Sequence, residues 1–220
     1  MQYKLILFDL DGVIIDSIPV IKMAFERAFR EVMGPDLKPP FEEYQKYLGH
    51  TLSDILKALA LPDTMKAPFV RESINLIPEN RLFPEIENLL QGLKKRGLKL
   101  GLATSKEGRR ARMILEHLKI LPYFDHVIGG DEVPKSKPAP DMLLKHLEYF
   151  NCLPAHALMI GDAPADSEAS RAAEIPFAAA LWSDLHEKAL LETHPDFVLR
   201  QPMELFQIIN AHFNSVQGSN

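Results

Sequence analysis

The chain has 220 residues, of which 46% are hydrophobic and 25% are charged, a composition typical of a folded globular protein. Its formal net charge of −5 argues against a nucleic-acid-binding surface as its main function. No apolar run reaches the roughly 20 residues that a transmembrane helix needs, and the N-terminus lacks the pattern of a signal peptide. The single cysteine, Cys152, cannot form an internal disulfide, so we expect a cytoplasmic protein. From the net charge and the absence of a long apolar run, we expect no nucleic-acid or membrane partner.

The first predicted strand covers residues 3–9 and ends in an acidic pair, Asp9 and Asp11. Residues two apart in a strand face the same side, so both carboxylates point into one small volume. Like charges held close together are unfavourable unless a cation compensates them. The dipeptide Asp11-Gly12 also suits a solvated turn, so the pair alone leaves a turn and a metal site open.

A long helical segment follows, from Gly12 to Gly97, and it exceeds an ordinary strand–helix–strand crossover. Apolar residues at helical spacing predict a first helix that ends at Gly34, followed by shorter helices, one of which we expect Pro68 to interrupt. Residues 84–97 form the last predicted helix of the segment, with proline at its start and basic residues in its final turn.

Strands and helices then alternate in steps of roughly 25 to 35 residues, which is typical of βαβ units around a parallel sheet. The later predicted strands are 98–104, 126–130, 157–162, 176–181 and 196–199. We therefore predict an α/β fold, a Rossmann-like doubly wound parallel sheet core with an inserted all-helical cap subdomain. The predicted core takes residues 1–16 and 83–220, and the predicted cap takes residues 17–82.

Polar side chains collect at the carboxyl ends of the predicted strands, where open parallel sheets bind ligands. Besides the acidic pair, these ends carry Thr104, Ser105, Lys135, Lys137, Asp162 and Asp166. Carboxylates suit a hard cation, whereas lysine and hydroxyl groups suit phosphate oxygens. The sequence therefore predicts a site for Mg²⁺ and a phosphoryl group.

Four short motifs occur in order at these strand ends: DLDGV at 9–13, LATS at 102–105, KSKPAPD at 135–141 and GDAPAD at 161–166. Together they resemble the haloacid dehalogenase superfamily of phosphohydrolases, of the type with a helical (C1-type) cap after the first motif. The second Asp of DLDGV excludes the dehalogenase branch itself. The chain is similar to phosphoglycolate phosphatases and β-phosphoglucomutase, and further segments resemble the phosphatase-like proteins associated with 3-amino-5-hydroxybenzoate synthesis.

The resemblance implies an aspartyl-phosphate mechanism. Asp9 would be the nucleophile, and Asp11 would act as the general acid and then as the base. Mg²⁺ would be held by Asp9, the backbone carbonyl of Asp11 and Asp162. Asp166 would join the metal directly or through water, although it could also simply favour the dipole of the helix that begins at Pro164.

The resemblance also assigns the phosphate-binding groups: Thr104, the Ser105 amide and Lys137. His50 lies in a predicted cap turn, where it is either a substrate contact or an ordinary surface histidine. We interpret the basic run Arg109, Arg110 and Arg112 as a solvated helix face.

These residues predict a Mg²⁺-dependent hydrolase of small phosphomonoesters, such as sugar phosphates or phosphoglycolate-like compounds, acting as a monomer or dimer. Three alternatives stay open. A phosphosugar mutase of the β-phosphoglucomutase type would share the catalytic set, but it has Glu at the position of Gly161. A phosphonate-cleaving enzyme would need a cap lysine, for which Lys46 is the one candidate that merits a test. A non-catalytic ligand-binding or regulatory protein could use the same fold.

Overall fold

The computed structural model of the chain describes residues 3–183, 185 and 187–217. Its strands, in chain order, are β1 (Leu5–Phe8), β2 (Ile15–Asp16), β3 (Arg81–Leu82), β4 (Lys99–Thr104), β5 (His126–Gly129), β6 (Ala157–Gly161), β7 (Phe177–Ala180) and β8 (Phe197–Leu199). Its α-helices are α1 (Ile18–Met33), α2 (Phe41–Gln45), α3 (Leu52–Ala58), α4 (Lys66–Asn75), α5 (Ile86–Lys95), α6 (Gly108–His117), α7 (Asp141–Phe150), α8 (Pro164–Ala172), α9 (Glu187–Leu191) and α10 (Leu205–Gln217). No helix in the described part of the chain combines the length and the apolar character needed to cross a bilayer.

Six of the strands form one parallel sheet in the order β5-β4-β1-β6-β7-β8. The central strand, β1, is completely buried, and its alternate residues enter two different hydrophobic clusters. Ile6 and Phe8 pack with α5, α6 and α10 on one face, whereas Leu5 and Leu7 pack with α7, α8 and α9 on the other. The near-continuous apolar strands therefore reflect burial on both faces, and the predicted doubly wound sheet is confirmed.

Helices α1 to α4 form a separate unit with its own hydrophobic cluster, in which Phe25 packs against Phe41 and Tyr44. The short strands β2 and β3 pair antiparallel, with Ile15 opposite Leu82, at the two ends of this insertion. The chain thus leaves the core and returns to it side by side. A narrow two-stranded ribbon of β2 and β3 therefore connects the helical unit to the core.

One local prediction about the cap is wrong. Pro68 does not interrupt a helix, because α4 begins only two residues before it. The first turn of a helix has backbone N–H groups without intrahelical partners, so the N–H that proline lacks is not needed there.

Candidate active site

The carboxyl edge of the sheet collects the predicted polar residues in one place. Asp9 directly follows β1, Thr104 ends β4 and Asp162 directly follows β6, and these three strands are neighbours in the sheet. All three side chains are buried, as are those of Lys137 and Asp166. The topology therefore brings residues from four separate motifs to one edge of the sheet.

Lys137 connects two of the carboxylates. Its ammonium nitrogen lies 2.7 Å from Oδ1 of Asp9 and 2.6 Å from Oδ1 of Asp166, and it donates a third hydrogen bond to the carbonyl oxygen of Ala103 at 3.0 Å. The lysine side chain is fully buried, so the ion pairs are little screened by solvent. All three protons of the ammonium group thus have acceptors, which fixes the position of this cation.

Asp9, Asp162 and Asp166 offer carboxylate oxygens that all lie within 4.8 Å of one another. Burial raises the pKa of Asp162 well above its usual range, and the neighbouring Asp9 and Asp166 raise it further. Burial likewise raises the pKa of Asp9, against the opposing effect of Lys137. Three buried acids with one lysine leave excess negative charge, so the donor set fits a hard divalent cation such as Mg²⁺.

Asp166 caps a helix and also lies in the three-carboxylate group. Its Oδ1 accepts from Lys137, while its Oδ2 accepts from the backbone amide of Ala163 at 3.1 Å and so caps the start of α8. The carboxylate also lies against Gly161, where an added Cβ would come within 2.4 Å of the Asp166 side chain. Asp166 therefore caps the start of α8 and also lies within the three-carboxylate group.

Asp11 lies beside the three-carboxylate group but has a cation of its own. Its Oδ2 is 3.1 Å from the ammonium nitrogen of Lys106, and its Oδ1 is buried with no hydrogen-bond partner. Burial opposes ionisation of this carboxyl, but Lys106 holds its pKa below the usual range. Sequence reasoning missed the pairing of Lys106, although its position directly after Thr104 and Ser105 was a usable signal.

Gly12 allows the acidic loop to approach the third carboxylate. Its φ of +75° is in the left-handed region that favours glycine, and an added Cβ would lie 1.8 Å from Oδ2 of Asp162. The Gly of DLDGV is therefore required by the packing of the site itself.

The helical cap touches the core at the edge of the site. Ser105 donates its hydroxyl to the carbonyl oxygen of Gly49 at 2.6 Å, and Ser136 donates to the Ser105 hydroxyl at 3.3 Å. An added Cβ on Gly49 would lie 2.7 Å from Cβ of Ala163, the residue that follows Asp162. The cap loop 48–51 therefore rests on two of the core loops that carry site residues.

Two adjoining cavities lie beneath this contact. The inner cavity encloses about 50 Å³ and is lined by Asp9, Asp11, Thr104, Ser105, Lys106 and Arg110 from the core, together with cap residues that include Tyr44 and His50. The outer cleft encloses about 600 Å³ between α3 and the loop that carries Lys137, and His50 lines it as well. The inner cavity is far below the roughly 300 Å³ at which ligand pockets begin, so a substrate needs the cap to move or must extend into the cleft.

The interpretation of the basic run is wrong for one of its three residues. Arg109 is exposed, and Arg112 pairs with Glu132 at 2.9 Å. Arg110 is buried and lines both cavities, because the cap covers the first turn of α6. Lys46, in contrast, lines neither cavity and pairs with Glu43 on the surface.

Comparison with known proteins agrees with this geometry. The sequence profile of the family described as haloacid dehalogenase-like hydrolase matches residues 6–180. A phosphoglycolate phosphatase of Aquifex aeolicus is 33% identical over 214 residues, covering 95% of this chain and 98% of the relative. A pyrophosphatase PpaX of Oceanobacillus iheyensis is 30% identical over 219 residues, covering 97% and 100%.

Solved structures give the same result. The crystal structure of a putative phosphoglycolate phosphatase from Lactobacillus plantarum has a TM-score of 0.82 and 26% identity, covering 94% of this chain and 99% of the other. A putative β-phosphoglucomutase from Thermotoga maritima has a TM-score of 0.75 and 26% identity, covering 96% and 99%. The resemblance stated from the motifs is thus confirmed at the level of the family and the fold.

Proposed function

Because the chain belongs to the haloacid dehalogenase-like hydrolase family, we propose that it hydrolyses small phosphomonoesters with Mg²⁺, through an aspartyl phosphate on Asp9. The observation that carries the proposal is the buried group of Asp9, Asp162 and Asp166, two of which, Asp9 and Asp166, bind the Lys137 ammonium nitrogen. A purely structural role for three buried acids and one lysine would leave uncompensated charge in the interior.

In the proposed reaction, the two acids of DLDGV take the roles that the family resemblance implies. A carboxylate oxygen of Asp9 attacks phosphorus, and the bond from phosphorus to the leaving-group oxygen breaks while Asp11 gives that oxygen a proton. Asp11 then takes a proton from a water molecule that attacks the phosphorus, which releases inorganic phosphate and restores Asp9. Oδ1 of Asp11 is the oxygen that would transfer both protons, since Lys106 lies against Oδ2.

The metal and the phosphoryl group would be held by different residues. Asp9, the backbone carbonyl of Asp11, Asp162 and, directly or through water, Asp166 would hold Mg²⁺. When bound, the ion supplies a positive charge that reduces the repulsion between carboxylate and phosphate. Thr104, the Ser105 amide and Lys137 would bind the phosphate oxygens, and His50 would contact the substrate from the cap.

Gly161 favours hydrolysis over the mutase alternative. The mutase has Glu at this position, but here an added Cβ would come within 2.4 Å of Asp166, so a Glu side chain has no room. The phosphonate-cleaving alternative lacks support as well, because Lys46 is on the surface and paired with Glu43. The similar proteins named above are phosphoglycolate phosphatases, a pyrophosphatase and a β-phosphoglucomutase, all of them named as enzymes, which favours an enzyme over a binding protein.

The relatives also narrow the substrate class without naming a substrate. One is named for phosphoglycolate and another for pyrophosphate, so small phosphorylated compounds stay the predicted class. The narrower resemblance to proteins of 3-amino-5-hydroxybenzoate synthesis, the cytoplasmic location and the monomeric or dimeric state stay predictions.

Phosphate release from a panel of small phosphomonoesters, with and without Mg²⁺, tests the proposal. We expect turnover that chelation abolishes and Mg²⁺ restores, and a loss of about 10³-fold or more in Asp9→Asn. Circular dichroism of the variant checks that it is folded. If the folded wild-type protein released phosphate from no member of the panel, the proposed function would be wrong.

A further inference from the structure

Arg110 is a buried cation without a partner. Only 5% of its surface is exposed, and its Nε and Nη1 atoms are buried with no hydrogen-bond partner. It makes no ion pair within 4.0 Å among the residues that the structure describes. Asp11 interacts with Arg110 through charge but accepts no hydrogen bond from it, so the buried Nε and Nη1 donors stay unsatisfied and are available to a ligand.

The guanidinium group lies where the cap meets the core. Arg110 is in the first turn of α6, and its Cζ lies 5.6 Å from the ring centroid of Phe69 in α4. It lines both the inner cavity, together with Asp9 and Asp11, and the outer cleft. Arg110 is therefore within reach of a small molecule whose phosphoryl group sits at Asp9.

The other cations near the reacting group are already paired. Lys137 is bound to Asp9 and Asp166, and Lys106 is bound to Asp11. The first turn of α6 contains no acidic residue that could compensate Arg110 locally. Among the described cations that line the inner cavity, Arg110 is the one that forms no ion pair with a carboxylate of the protein.

We propose that Arg110 is a specificity-determining residue that binds a second anionic group, carried by the part of the substrate that leaves when phosphate is transferred. This inference rests on the proposed function for the position of the phosphoryl group. The second group is a carboxylate or a further phosphate, since guanidinium recognises both through charge-assisted hydrogen bonds. Asp9 and Arg110 line the same inner cavity, which favours a short spacing between the two anionic groups.

A matched pair of substrates isolates this charge. 2-Phosphoglycolate carries a carboxylate, and 2-hydroxyethyl phosphate has the same length but a neutral hydroxyl in its place. Inorganic pyrophosphate provides the arm in which the second group is a phosphate. The readout is the ratio of kcat/KM for each anionic substrate to that for the neutral ester, measured in wild type, Arg110→Gln and Arg110→Lys.

We expect wild type to prefer at least one of the two anionic substrates. Arg110→Gln should lower that preference by about 10- to 100-fold, the range of a hydrogen bond to a charged group, and Arg110→Lys should restore part of it. Arg109→Gln, an exposed neighbour on the same helix, is the matched control and should keep the wild-type ratio. The anionic substrate whose preference is lost identifies the second group as carboxylate or phosphate.

Two results would overturn the inference. A wild-type enzyme without preference for either anionic substrate has no site for a second charge. If Arg110→Gln lowered kcat/KM for all three substrates by the same factor, Arg110 would bind the transferred phosphoryl group instead.

Binding measurements separate this inference from the proposed function. In the Asp9→Asn background, calorimetry with 2-phosphoglycolate, pyrophosphate and 2-hydroxyethyl phosphate reports recognition without turnover. Tighter binding of an anionic compound that is lost on adding Arg110→Gln would support the role of Arg110 even if the wild-type protein hydrolysed none of the compounds. Equal binding with and without Arg110 would overturn it even if the protein were an active phosphatase.

Discussion

At the scale of single residues, the carboxylates of the site differ in the cation that each one contacts. Lys137 pairs with Asp9 and Asp166, whereas Lys106 pairs with Asp11 alone. Burial raises the pKa of Asp9, whereas Lys106 lowers that of Asp11, so two acids separated by a single residue have opposite tendencies to ionise. These directions belong to the site without a metal and are the reverse of what the proposed roles need, since a nucleophile must be ionised and a general acid protonated. A cation bound beside Asp9 would favour its ionised form.

Lys106→Met tests whether this second cation positions Asp11. Without the ammonium group, Oδ2 of Asp11 loses its partner at 3.1 Å, and the carboxyl group loses its fixed orientation toward the inner cavity. We expect kcat for phosphate release to fall about 10-fold or more, since a positioned acid–base group contributes about 10²- to 10⁴-fold. Lys95→Met, an exposed lysine on α5, is the control. A kcat within about twofold of wild type would exclude the positioning role.

A hydrogen-bonded pair of histidines, His126 and His146, lies outside the proposed active site. Nε2 of the fully buried His146 donates to the carbonyl oxygen of Leu102 at 3.0 Å, so its Nδ1 is the acceptor for the Nδ1–H of His126 at 3.2 Å. With Nδ1 as an acceptor, the His146 ring is neutral and carries its proton on Nε2. Burial lowers the pKa of His146 to about 3, and the adjacent His126 lowers it further.

This pair predicts how stability depends on pH. The unfolded chain takes up a proton at His146 below a pH of about 6.5, whereas the folded chain does not until about pH 3, so folding loses stability as the pH falls through that window. Between pH 7 and pH 5 we expect His146 to account for about 2 kcal/mol of lost unfolding free energy. Urea denaturation at both pH values, in wild type and His146→Gln, measures the difference. An equal loss in both proteins would contradict the assignment.

At the scale of secondary-structure elements, the strands can be predicted from the sequence, whereas the buried face of a helix can be predicted only in part. The apolar runs that become β1, β4 and β6 are buried on both sides, so no knowledge of their neighbours is needed to recognise them. The face of α6 depends on what covers it. Arg110 looks like its neighbour Arg109 in sequence, but the cap buries one and leaves the other exposed.

The cap loop 48–51 contacts the core where Gly49 lies against Ala163. Gly49→Ala should prevent the loop from resting on Ala163, because the new Cβ would lie 2.7 Å from Cβ of Ala163. We expect kcat/KM for a small phosphomonoester to fall about 10-fold, since a closed cap excludes water from the reacting groups.

Gly34→Ala is the matched control for the backbone. Gly49 and Gly34 have φ values of +98° and +106°, a region that favours glycine, so alanine strains the backbone at both positions, but Gly34 has no atom within 4 Å of the added Cβ. Ala163→Gly in the Gly49→Ala background should restore part of the activity. Equal activity of the two single variants would show that the contact with Ala163 does not matter.

At the scale of the whole molecule, the site exists because a sheet edge and an inserted helical unit meet. The core supplies the acids and Lys137, and the cap supplies His50 and the ring of Phe69. The positions of the acids follow from the sequence, since ligands bind at the carboxyl ends of parallel strands. The pairing of Lys106 and the burial of Arg110 depend on packing between units far apart in the chain, which local patterns do not encode.

The proposed mechanism requires the carboxylate of Asp9 to form a covalent bond to phosphorus. The most direct test is to quench the enzyme with acid during turnover in Mg²⁺, reduce it with borohydride, and map the product by mass spectrometry, since borohydride reduces an acyl phosphate to the alcohol. We expect the reduced side chain at residue 9, and we expect it only when both Mg²⁺ and substrate are present. Rapid turnover with an unmodified Asp9, or with the modification at another carboxylate, would contradict it.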